Sequence, residues 1–129
     1  MKEEGDSHKM WTYHIKCDIV IVRREFIETK IFEKTWKNAG YDDKDLRSLQ
    51  SALLENPEVG TGIAAGMRKY RHPFGSGGKS GGSRIIYYDY KENGQIYLIY
   101  CFRKNEQDNL TDAQKKALSI TVKSIKGGA

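Results

Sequence analysis

The first long alternation in the chain runs through Tyr13, Ile15, Cys17, Ile19 and Ile21, with His14, Lys16 and Asp18 between them. Apolar side chains at every second position mark a strand with one buried face. The pattern predicts a strand over 13–22, after a polar and unstructured Met1–Met10, and a short extended piece over Glu25–Glu28. The period then changes. In KIFEKTWKNA, Ile31, Phe32 and Trp36 fall close together on a helix over Lys30–Ala39 that Gly40 can end. Asp42 is a good N-cap for a second helix, whose Leu46, Leu49 and Leu53 form an i, i+3, i+7 stripe and which Asn56-Pro57 stops. The glycine-rich stretch from Glu58 to Gly66 reads as a loop. Three strands follow, Met67–His72, Arg84–Tyr90 and Gln95–Arg103, and Asn93-Gly94 between the last two is a strong hairpin signal. Thr111 with Gln114 makes a capping box for a final helix with Leu118, Val122 and Ile125 as its apolar stripe.

This order predicts an α+β fold: a small twisted antiparallel sheet with two N-terminal helices packed on one face, and a C-terminal helix. The 129 residues suit one domain, 23–129, with 1–22 as an N-terminal extension. A sheet covered by helices on one side keeps its second face free.

Composition narrows the class. Charged residues make up 30% and hydrophobic ones 38%, as in an ordinary soluble protein, and no apolar run approaches the roughly 20 residues that span a bilayer. No membrane role is expected. Met1–Lys9 is too acidic for a signal peptide. Cys17 and Cys101 have neither metal-type spacing nor a disulfide framework, which fits a reducing cytoplasm, and with three isolated histidines they suggest no metal site.

Net charge is +5, and its distribution says more than its size. Between Arg68 and Lys104, eight Lys/Arg stand against Asp89 and Glu92, a net +6, so the other 92 residues sum to −1. A basic segment interleaved with tyrosines suits an anionic polymer, and nucleic acid first of all. Alternation sorts these residues by face: Lys69 and Arg71 share one and Arg68 and Tyr70 the other, while Arg84, Ile86 and Tyr88 oppose Ile85, Tyr87 and Asp89. On the open face, Lys69, Arg71 and Arg84 would stand side by side, an arrangement that repels itself unless an anion binds.

The same segment contains GSGGKS, whose GKS resembles the end of a Walker A loop. That motif requires a glycine where Pro73 stands, and a helix directly after the serine. Two glycines and the strand-like RIIYYDY follow instead, so a nucleotide-binding loop is excluded.

Several stretches in order carry a family resemblance: FIETKIFEKTW, LLENPEVG, RKYR, GKSGGSRIIYY and RKNEQDNLT. Over about Phe26 to Ile125 the chain resembles bacterial toxins of the RelE/HigB superfamily, the HigB-type branch above all. It departs from them at Ser80, where arginine or lysine is common, and in the length of chain before Arg23. The resemblance implies a ribosome-dependent mRNA endonuclease that inhibits translation in the cytoplasm. Its reaction would be attack of a ribose 2′-hydroxyl on the adjacent phosphate, without metal or cofactor. Arg84 would bind the scissile phosphate, and Lys69 and Arg71 would hold phosphate, Lys69 alternatively serving as base. Lys104 would stabilise the transition state or act as acid. His72 and Asp108 are further candidates for the chemistry, and Arg68, Lys79, Tyr88, Tyr90 and Arg103 for holding RNA. The implied partners are a cognate antitoxin of the helix-turn-helix HigA type, the ribosome and mRNA, with operator DNA reached only through the antitoxin. Two other readings share this fold: a gyrase-inhibiting toxin of the ParE type, and a non-catalytic RNA-binding module.

Overall fold

The computed structural model describes residues 8–15, 20–73, 83–103, 107 and 109–127, with side chains from residue 24 onward. Its elements in chain order are β1 (His8–Ile15), β2 (Val20–Glu28), α1 (Lys30–Ala39), α2 (Asp43–Glu55), β3 (Thr61–Gly62), β4 (Arg68–His72), β5 (Ser83–Tyr90), β6 (Gln95–Arg103) and α3 (Asp112–Lys126). Short 3₁₀ turns lie at Ala64–Gly66 and Lys91–Asn93. The strands form one sheet in the order β1-β2-β6-β5-β4-β3. The α+β expectation holds.

The caps act as the sequence indicates. Thr29 Oγ1 accepts from the Phe32 N–H to open α1, and Gly40 ends it with φ 84°, a left-handed conformation that glycine adopts without strain. Asp42 with Asp45, and Thr111 with Gln114, form the reciprocal capping boxes of α2 and α3. Gly94, at φ 66°, turns the chain from β5 into β6.

Four features differ from the sequence reading. The apolar alternation over 13–22 is not one strand: β1 begins already at His8, within the stretch expected to be unstructured, and pairs antiparallel with β2 from His8↔Ile27 to Ile15↔Val20. Cys17 and Ile19 lie outside the described residues. The Glu25–Glu28 piece is the end of β2 rather than a separate element. The sheet is mixed, because β2 runs parallel to β6, from Glu25↔Gln95 to Glu28↔Leu98. A parallel neighbour needs a long crossover, and the α1–α2 pair lies within it. Lastly, helices pack on both faces. α1 and α2 cover the face carrying Phe26, Ile85, Tyr87, Ile96 and Leu98, whereas Leu118 and Val122 of α3 cover Ile86, Tyr88, Ile99 and Phe102 on the other. That second face is too apolar to stand in water, and α3 shields its middle.

A β-bulge underlies the two-sided apolar pattern. Ile86 pairs with Tyr100 and Tyr87 with Leu98, leaving Ile99 as the extra residue of β6. The bulge shifts the phase of the strand, so Tyr97, Ile99, Tyr100 and Phe102 all serve the α3 face and Leu98 and Cys101 the other.

Candidate active site

Residues directly opposite on antiparallel strands project to the same face. Lys69 pairs with Ile86, and Arg71 with Arg84. Since Ile86 packs under α3, all three cations lie on the α3 face. Arg71 is exposed, while Lys69 and Arg84 are half-buried. Two arginines directly opposite each other destabilise a ladder by roughly 0.2–1 kcal/mol. Arg84 has a further unmet need: its Nη1 is shielded from solvent and finds no hydrogen-bond partner among the described residues. A shielded, unpaired guanidinium nitrogen costs about 1–3 kcal/mol, which an anion bound there would relieve. The Lys69 ammonium, in contrast, donates to Asn109 Oδ1 at 2.8 Å. It lines a cleft of about 160 Å³ with Ile63, Asn109, Leu110 and Lys115.

Both tyrosines expected to hold RNA share this face. Tyr88 is 8% exposed and packs in the α3 core, and burial pushes its phenol up from the ordinary value. A Cβ on Gly66 would approach its ring to 3.3 Å, so the neighbouring turn already closes over it. Tyr90 is half-buried beside Tyr88, with ring centroids 5.6 Å apart. Six residues along a strand put Tyr90 about 20 Å from Arg84.

Three candidates project to the opposite face. Arg68 pairs with Tyr87, and donates from Nε to Gly60 O and from Nη2 to Glu58 O, each at 3.0 Å. It closes the loop before β3. His72 pairs with Ser83 and is 5% exposed, with Nε2 2.9 Å from Ser48 Oγ and Nδ1 3.3 Å from Tyr70 Oη. Burial holds its pKa below the ordinary histidine value, against a smaller upward pull from Asp45. It is a buried tie between β4 and α2 rather than a group facing the cations. Arg103 also pairs with Ser83, whose hydroxyl is 2.5 Å from Tyr41 Oη. The parity of a strand explains all three, because a shift of one residue changes the face. Lys79, Lys104 and Asp108 lie outside the described residues.

Sequence reasoning passed over Asn109 and Lys115, whose proximity to Lys69 depends on how α3 returns across the sheet. The only sequence signal for Asn109 is its place in RKNEQDNLT, a stretch that carries the family resemblance.

A family model described as the RelE toxin of the RelE / RelB toxin-antitoxin system matches residues 24–127. The chain belongs to the RelE toxin family. As a RelE toxin it is one half of a toxin–antitoxin system and has an antitoxin as its partner. The match takes in all of the sheet from the second half of β2, and all three helices, while β1 precedes it. Among the described residues, no helix is long and apolar enough to cross a membrane.

Proposed function

We propose that this RelE toxin is an endoribonuclease of the HigB-type branch that cuts mRNA in the ribosomal A site and so arrests translation in the cytoplasm. The observation that carries the reading is the row of Lys69, Arg71 and Arg84 on one face, with a shielded and unpaired nitrogen on Arg84. Two arginines set directly opposite each other repel, and a phosphate bound between them would relieve that repulsion.

In the reaction, the 2′-oxygen forms a bond to the adjacent phosphorus as the bond to the 5′-oxygen breaks. The 2′-hydroxyl proton goes to a base, and the leaving 5′-oxygen receives one from an acid. The products are a 2′,3′-cyclic phosphate and a 5′-hydroxyl, and DNA lacks the group that starts the reaction. Charge grows on the non-bridging oxygens of the phosphorane, where fixed cations lower the barrier most. Arg84 has the planar fork suited to two of those oxygens. Arg71, exposed at the rim, holds a flanking phosphate. Lys69, a hydrogen-bond donor to Asn109, holds a phosphate. Lys104 supplies a further cation or the acid. The antitoxin is a helix-turn-helix protein of the HigA type, through which the pair meets operator DNA.

Induced expression followed by mapping of transcript 5′ ends tests the reading. Cuts are expected within translated codons and to vanish when ribosomes are kept off the message. Cuts spread equally through untranslated RNA would overturn ribosome dependence.

A further inference from the structure

Lysine is a poor residue for fixing a charge, since its four-carbon stem spreads the ammonium over many rotamers. Here the ammonium is not left to wander. Lys69 Nζ lies 2.8 Å from Asn109 Oδ1, in a bond open to solvent, and Lys69 lines a cleft together with Ile63, Asn109 and Leu110. Asn109 belongs to the segment entering α3, forty residues away in sequence, and that segment is itself tied down. Gln107 Nε2 donates to Asn109 O at 2.8 Å and to Gln114 Oε1 at 3.0 Å. Gln114 in turn accepts from the Thr111 N–H at 2.9 Å and donates to Tyr100 Oη at 3.1 Å, on the face that carries the cations. The Gln107 N–H reaches back to Arg103 O at the end of β6. The capping box of α3 therefore does two things: it starts the helix, and it holds the backbone from which the Asn109 amide reaches Lys69.

We propose that Asn109 is a positioning residue that aims the Lys69 ammonium at the RNA phosphate, and that the Gln107–Gln114–Tyr100 bonds keep Asn109 in place to do so. Lys115 lines the same cleft and adds a second positive charge to it. The proposal rests on the endonuclease reading for its consequence in catalysis, but not for the contact itself. A charge held in its working orientation before substrate arrives loses less freedom in the transition state, and misplacing such a group by about 1 Å costs up to ~100-fold in rate.

The full-length protein and its variants would be compared in two ways. In single-turnover cleavage of ribosome-bound mRNA, Asn109→Ala is expected to lower the rate about tenfold, with substrate affinity and Tm near wild type. In a Lys69→Ala background the same change should add nothing, because the group it positions is gone. Independently of any RNA, ¹⁵N NMR of the lysine ammonium groups should show slow proton exchange at Lys69 that is lost in Asn109→Ala and kept in Asn109→Asp, which retains the oxygen. An unchanged Lys69 signal in Asn109→Ala, or rate effects of the two substitutions that multiply, would overturn the proposal. If the wild-type protein cuts no ribosome-bound message, the endonuclease reading fails, and the NMR comparison still decides the contact.

Discussion

Arg68 and Arg84 sit on adjacent strands of one sheet and differ chiefly in the face they take. Arg68 spends its hydrogen bonds on the carbonyls of Glu58 and Gly60, so Arg68→Ala should lower thermal stability while growth arrest persists. Hydrogen bonds from a charged group contribute about 1.5–3 kcal/mol, and partial exposure puts this pair at the low end. Arg84→Ala should do the reverse. It removes one of two opposed arginines and a shielded unpaired nitrogen, so Tm should hold or rise, and toxicity should drop by ~100-fold or more in cleavage rate. A destabilised Arg84→Ala protein, or a fully toxic one at equal protein level, would take Arg84 out of the site. His72 gives folding a pH signature. Burial depresses its pKa, so the unfolded chain takes up the proton first as pH falls through the ordinary value of about 6.5. Its contribution is complete above that value and is lost as pH drops toward the lowered native one. Asp89 works in the opposite sense, since burial raises its pKa and stability falls as pH rises from about 3.8. Comparing Tm of wild type and His72→Gln at matched pH cancels Asp89 and the other groups. The wild type should lose more stability on acidification below 6.5, and parallel curves would mean that His72 is not kept neutral by the fold.

Among the elements, α2, α3 and the β5–β6 hairpin were legible because their signals are local: Asp42, Thr111 with Gln114, and Asn93-Gly94 each act within four residues. What was not legible depends on distant partners. The parallel register of β2 on β6 joins residues seventy apart, and nothing near Glu25 or Gln95 encodes it. The bulge at Ile99 breaks the period-2 alternation of IYLIYCF, so a single-phase reading of β6 does not show the need for a second helical layer. The cation row was legible for the same reason that the helix caps were, since period-2 parity places Lys69 with Arg71 without knowledge of the partner strand. Asn109 was not, because its contact spans forty residues. β1 offers the sharpest test at this scale. Along its whole length it covers an edge of β2 that would otherwise present open N–H and C=O groups. Deleting residues 1–19 removes β1 and leaves β2 intact, so Tm should fall by about 5 °C or more, the shift expected for roughly 1–2 kcal/mol in a domain of this size. The cations lie on strands at the other side of the sheet, so growth arrest should survive the deletion. A truncated chain as stable as the full one would show that β1 adds nothing to the fold.

Across the whole molecule, the charge is not spread evenly. The segment from Arg68 to Lys104 carries +6 and the remaining 92 residues −1. The fold sharpens this, since it turns Arg68 and Arg103 to the α1–α2 face and leaves Lys69, Arg71 and Arg84 together. α3 covers the apolar middle of that face, so the proposed function requires an RNA strand to meet the β4–β5 side of it and not an entire open sheet. Contact made by a few fixed cations has a measurable form. Each phosphate neutralised on a single strand releases about 0.7 counterion, and one phosphate for each of the three cations gives a slope of log affinity against log salt of roughly −2. The probe is a single-stranded oligoribonucleotide with 2′-O-methyl riboses, which keeps its phosphates but has no hydroxyl to attack. Arg84→Ala should make the slope shallower by about 0.7, whereas Arg68→Ala should leave it unchanged. A slope near zero in the wild type would mean that RNA docks through apolar contact, and the cation row would lose its role. An equal loss of slope from Arg68→Ala would mean that RNA reaches both faces of the sheet, against the division of labour that the β4–β5 register sets.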